Sequence, residues 1–177
     1  MGDKKTDLSQ ALREALDFER KGSEFYVQLG IDTKQPLAKR LFYNLAKQEI
    51  DHIVRIEEIF DALKRNTPWP EFKARDIREI EQEMKKIFGS LDKKARAQEP
   101  DNKDGYQLAI NLEKQGYEMY RKFSGRATDE RARRFFSSLA EEEKNHLTAL
   151  DNVYYFLTQS EEWLSMDESR VWNWMAT

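Results

Sequence analysis

His52 and His146 are the only two histidines in the chain, and each closes the same short motif. Glu49-Ile50-Asp51-His52 and Glu143-Lys144-Asn145-His146 both read Glu-x-x-His. Upstream of them, at equal distances, stand Glu19 and Glu113. Glu19, Glu49 and His52 therefore recur as Glu113, Glu143 and His146 at one constant offset. The i, i+3 spacing puts the Glu and His of each motif on one helical face. Four carboxylates and two imidazoles contributed by four helices are the donors with which a helical bundle holds two metal ions. Oxygen and nitrogen without sulfur suits Fe, Mn or Zn.

Position sharpens this reading. Each Glu-x-x-His falls on the apolar stripe of its helix, between Leu45 and Ile56 in one repeat and Leu139 and Leu150 in the other. An ionised carboxylate in a core costs several kcal/mol unless something compensates it. Two divalent cations would cancel four such charges, and each histidine would add a neutral nitrogen. A single histidine on such a stripe is more often a hydrogen-bonded core residue; the doubled pattern is what favours metal. Tyr26 and Tyr120 lie two turns beyond Glu19 and Glu113 on the same face, placed to hydrogen-bond a metal-bound carboxylate or simply to pack. Gly22 and Gly116 recur in mid-helix, where Gly costs about 1 kcal/mol against Ala, which points to a need for space. Glu24 and Glu118 fall off the ligand face and suit surface salt bridges. Asp51 and Asn145 are candidate outer partners of the histidines.

These side chains need elements that bring them together. Laying residues 15–63 over 109–157 also pairs Ala15 with Ala109, Phe42 with Phe136, Leu45 with Leu139 and Leu63 with Leu157, the mark of a duplicated unit. Each unit reads as a helical hairpin, 8–65 and 104–159. In the first, one helix runs to about Leu29 and breaks around Gly30-Ile31-Asp32-Thr33. Pro36 suits the opening turn of the next, which ends near Asn66-Thr67-Pro68. Glu19 lies ~15 Å of helix before Leu29, and Glu49 ~20 Å after Pro36, so the two return to nearly one height on neighbouring antiparallel helices. The same holds for Glu113 and Glu143. Residues 66–103 form a crossover with a short charged helix, about Phe72 to Phe88, and a polar loop through Gly89 and Pro100. The tail, 160–177, carries Trp163, Trp172 and Trp174, aromatic enough to pack on the bundle or on a partner, a second copy in a homodimer included. All of it is read as one domain, 1–177.

Composition excludes several classes. Charged residues make up 36% of the 177 and apolar ones 39%, as amphipathic helices require. Seven Gly and four Pro are too few for a turn-rich all-β fold. A net charge of −3 with no basic block argues against nucleic acid as a partner. Without cysteine there is no disulfide and no thiolate metal site. The polar start Met1-Gly2-Asp3-Lys4-Lys5-Thr6 is no signal core, and no apolar run approaches a membrane span. The expectation is a cytoplasmic protein without a membrane partner.

The chain resembles the ferritin-like di-iron carboxylate proteins, and among them the rubrerythrin-like group, from about residue 8 to 159. The resemblance rests on a Glu in each first helix and Glu-x-x-His in each second. It implies an all-α fold, a ferritin-like antiparallel four-helix bundle made of two duplicated hairpins joined by a long crossover. It implies Glu19 and Glu113 as terminal carboxylates, Glu49 and Glu143 as bridging ones, His52 and His146 as nitrogen ligands, and Tyr26 as the tyrosine behind them. The cofactor is then two metal ions, with iron favoured, and the activity that of an oxidoreductase reacting with O2 or peroxide, of peroxide reductase or ferroxidase type. Two departures matter. Rubrerythrins proper carry a further glutamate where Gly116 stands, which implies a more symmetric site here, like those of bacterioferritins and di-iron oxidases, and counts against peroxide reduction. Their rubredoxin-like iron domain, built on four cysteines, is absent, so electrons would come from an external donor protein. The alternatives are a metal-binding protein without turnover, for iron sensing, buffering or structure, and a metal-free helical interaction protein.

Overall fold

The computed structural model describes residues 8–71 and 103–158. The crossover helix about Phe72 to Phe88 and the tail 160–177 lie outside the described residues. Four helices account for nearly all of the rest: α1 Leu8–Asp32, α2 Pro36–Arg65, α3 Lys103–Arg126 and α4 Glu130–Thr158. Each is amphipathic. Along α1, Leu12, Ala15, Glu19, Gly22, Tyr26 and Leu29 recur in steps of three and four and are buried, the stripe by which a helix joins a core.

The duplicated sequence makes a duplicated hairpin. α1 packs on α2 and α3 on α4, while α1 faces α3 and α2 faces α4 across a wider seam. At one end of the bundle Tyr26 and Leu29 of α1 meet Leu37 of α2, Tyr106 and Ile110 of α3 and Val153 of α4. At the other, Leu12 meets Ile59, Phe123 and Phe135. Neighbouring helices are therefore antiparallel throughout. α2 ends at the second of these ends and α3 begins at the first, so the connection between them has the length of the bundle to cover. This is the ferritin-like arrangement.

The helix ends repeat as well. Gln35 caps α2, its side-chain oxygen accepting from Ala38 N at 2.8 Å, and Pro36 opens the helix. The equivalent residue in the second hairpin is Asp129, whose Oδ1 accepts from Arg131 N at 2.8 Å and Ala132 N at 3.2 Å. Asn66 ends α2 in the left-handed region, φ 53° and ψ 41°, with its N–H turned back to Ala62 and Leu63, a conformation Asn tolerates.

Two details differ from the sequence reading. α1 continues through Gly30 to Asp32, so the turn shrinks to residues 33–35. Gly30 is there for closeness: a Cβ would stand 2.6 Å from Tyr43 Cε1. Leu63, paired by the repeat with buried Leu157, is 40% exposed, because it lies beyond Ala62, the last residue of α2 to be buried.

The cap sets a prediction. Asp129→Ala should lower stability by about 1 kcal/mol, read as a lower denaturant midpoint, and Asp129→Asn should retain most of it.

Candidate metal centre

Between the two apolar ends lies one polar layer. Glu19, Glu49, His52, Glu113, Glu143 and His146 meet there, each 0–2% exposed. The six form two overlapping groups whose donor atoms lie within 4.8 Å of one another. One comprises Glu19, Glu49, His52 and Glu143, and the other Glu49, Glu113, Glu143 and His146. Glu49 and Glu143 belong to both. Each group has one carboxylate of its own, one imidazole and the two shared carboxylates.

Both imidazoles turn Nδ1 inward. His52 Nδ1 lies 3.2 Å from Glu19 Oε2 and 3.4 Å from Glu143 Oε1. His146 Nδ1 lies 3.3 Å from both Glu49 Oε1 and Glu113 Oε2. The rings stack, centroids 5.6 Å apart. Behind the carboxylates the hairpins exchange tyrosines: Tyr26 OH donates to Glu113 Oε1, and Tyr120 OH to Glu19 Oε1. Each tyrosine in turn stacks on a phenylalanine, Tyr26 on Phe42 and Tyr120 on Phe136. Packing thus orients the phenol, and the phenol orients the carboxylate.

The inward atoms face one another as ion pairs, without hydrogen bonds. Glu49 Oε1, Glu113 Oε2, Glu143 Oε1 and His146 Nδ1 are buried and make no hydrogen bond. Buried polar atoms are almost always satisfied. Four left over, all aimed at one centre, are what a cation would satisfy, and the buried Glu/His cluster fits a metal site.

Without metal the cluster retains protons. Burial, then the charge of Glu49, pushes Glu19 up to about 8. Burial and the charges of Glu49 and Glu113 push Glu143 up as well. Burial would also raise Glu49, but its close contacts with Glu19, His146 and His52 outweigh it and hold Glu49 well below the usual range. Burial would lower both imidazoles. Instead Glu19 and Glu142 lift His52 well above its ordinary value, and Glu113 with Glu49 lifts His146 to about 9. Cations would take the place of these protons.

The glycines are not equivalent. A Cβ at Gly116 would stand 2.7 Å from Glu143 Oε2 and 2.9 Å from Phe18 Cε1. At Gly22 the nearest atom, Glu49 Oε2, is at 3.5 Å, an ordinary contact. Glu143 itself stands closer to Gly116 than Glu49 does to Gly22, and Phe18 adds a second close contact where the repeat puts the smaller Leu112. A side chain at 116, where rubrerythrins proper were expected to carry a glutamate, would require Glu143 and Phe18 to shift.

The outer partners of the histidines are not the expected ones. Asp51 and Asn145 are half-buried, and the Nε2 atoms are met by other residues. His52 Nε2 lies 3.2 Å from Glu142 Oε2, and His146 Nε2 lies 3.0 Å from Gln48 Oε1. Arg55 grips both Glu142 oxygens at 2.7 Å. Glu142 stands inside the run Glu141-Glu142-Glu143, which looks like a solvated face. The available signal was its place one turn before His146, matched by Gln48 one turn before His52. Glu24 and Glu118 lie away from the cluster, on the outer side of their helices.

No helix among the described residues is long and apolar enough to cross a membrane. No curated protein and no solved structure matches the chain. The family model for Rubrerythrin matches residues 10–154. A match that runs from α1 into α4 and takes in both Glu-x-x-His motifs means that the chain belongs to the Rubrerythrin family, whose domain is a ferritin-like di-iron domain.

Proposed function

We propose that the cluster holds two metal ions, iron above Mn or Zn, and that the protein is an oxidoreductase reacting with O2 or peroxide. The observation that carries this is the pair of donor groups sharing Glu49 and Glu143, with unsatisfied inward atoms. In this reading Glu19 and His52 would hold one ion, Glu113 and His146 would hold the other, and Glu49 and Glu143 would serve both. Tyr26 and Tyr120 hold the terminal carboxylates in place. Iron, when bound, supplies two adjacent redox centres able to pass two electrons to an oxidant. The residues themselves exclude bulk water and set the charge: four carboxylates against two dications. Residue exposures of 0–2% favour a diatomic or peroxide-sized oxidant over a large organic substrate. Reducing equivalents would come from a donor outside these 177 residues, which contain no cysteine for a rubredoxin-like centre. That composition also suits a reducing, cytoplasmic compartment.

The same complete burial supports a second reading, a metal-binding protein without turnover. Elemental analysis of protein purified without chelator, followed by stopped-flow mixing of the anaerobic Fe(II) form with O2 and with peroxide, separates the two. The oxidoreductase reading expects bound iron and a rapid rise in near-ultraviolet absorption with at least one oxidant. Bound metal that consumes neither oxidant would leave only the second reading.

The retained protons predict a pH dependence. Glu19 at about 8 and His146 at about 9 lie above their ordinary values of 4.5 and 6.5. Each therefore favours the metal-free fold fully below its unfolded value and loses that contribution as pH rises through its folded one. The melting temperature of chelator-treated protein should fall between pH 7 and about 9, while the gain produced by added Mn(II) should grow over the same range. A metal-free melting temperature that rises with pH would contradict this assignment.

The glycines predict a contrast. Gly116→Ala should displace Glu143 and weaken Mn(II) binding by about tenfold or more, measured by calorimetry. Gly22→Ala should leave binding unchanged and raise stability by up to about 1 kcal/mol.

A further inference from the structure

The two halves of the cluster match in their six central residues and differ one layer out. Gln48 and Glu142 occupy equivalent places in the repeat, yet one is a neutral amide and the other a carboxylate. Gln48 uses its Nε2 to donate to Asn44 Oδ1 at 2.7 Å, which turns its Oε1 toward His146 Nε2 at 3.0 Å. Glu142, 1% exposed, receives His52 Nε2 at 3.2 Å and both arms of Arg55. The repeat equivalent of Arg55 is Ala149, itself buried, so the second half has no guanidinium at that place.

Both oxygens can only accept. Once a cation displaces the second proton, each histidine is thereby held with its remaining proton on Nε2 and its Nδ1 lone pair facing the centre. The strength of the two holds differs. A hydrogen bond to a carboxylate is roughly twice as strong as one to a neutral amide. It leaves more electron density on the ring, which makes Nδ1 a better donor to a cation. Arg55 fixes Glu142 at two points, so His52 is also the more rigidly oriented of the two.

We infer that the two metal positions are inequivalent: the Arg55–Glu142 pair makes the position served by His52 the tighter one, which fills first, and the position served by His146 and Gln48 fills second. The inference rests on the two-metal reading proposed above. It makes Glu142 a positioning residue acting through His52. A merely structural tie between α2 and α4 would change stability without changing the order of filling.

The test uses the full chain freed of metal by chelator. Crystals grown with one equivalent of Mn(II) are measured for anomalous diffraction, and calorimetry follows two equivalents in solution. The wild type should show anomalous density mainly beside His52 and two resolved binding steps. Glu142→Gln should weaken the first step by about 10–100-fold and divide the density between both positions. The double change Arg55→Gln with Glu142→Gln, which leaves no unpaired guanidinium, should do the same. Equal density at both positions in the wild type would overturn the inference, and that measurement needs no variant to fold. An unchanged filling order in both variants would overturn it as well. Failure to take up Mn(II) at all would instead remove the two-metal reading beneath it.

Discussion

Repulsion among four buried carboxylates is the constraint on which the rest of this structure depends. Glu19, Glu49, Glu113 and Glu143 share one small volume with almost no solvent contact. In such surroundings charge is costly unless balanced. The metal-free chain balances it with protons held by Glu19, Glu143 and both histidines. Two cations would balance it more completely and would also satisfy the inward oxygens. The features that tune the cluster for protons are thus the ones that suit it to metal.

The rest of the bundle keeps that layer in place. Apolar clusters above and below it seal the two ends and supply the burial that offsets a polar middle. The exchange of tyrosines between hairpins is part of the same design. Tyr26 belongs to the first hairpin but holds a glutamate of the second, and Tyr120 does the reverse. The wide seam between hairpins is thereby bridged by polar contacts at the level where apolar packing is interrupted. Neither hairpin completes its half of the cluster alone, because each donor group draws on both.

Duplication accounts for the symmetry, and divergence within it for the exceptions. Caps, tyrosine–phenylalanine stacks and the six central residues all recur. Phe18 against Leu112, Arg55 against Ala149 and Glu142 against Gln48 do not. These three substitutions leave the donor count untouched and change what lies behind it. The expected symmetry therefore holds for the donors themselves and fails in their surroundings, where space at the glycines and charge behind the imidazoles differ between halves.

The six central residues, the hairpins and the antiparallel bundle were legible in the chain alone. Helical periodicity and a constant internal offset are local properties, and a Glu or His on an apolar stripe is conspicuous wherever it occurs. The exchange of tyrosines and the meeting of Arg55, Glu142 and His52 were decided only by the tertiary structure. Spacing along a helix says which face a residue takes. It does not say which residue of another helix stands opposite, because that depends on the distance and register between hairpins. Glu142 shows the physical reason most plainly: beside Glu141 and Glu143 it reads as surface charge, and only the arrival of Arg55 and His52 from α2 offsets the cost of burying it.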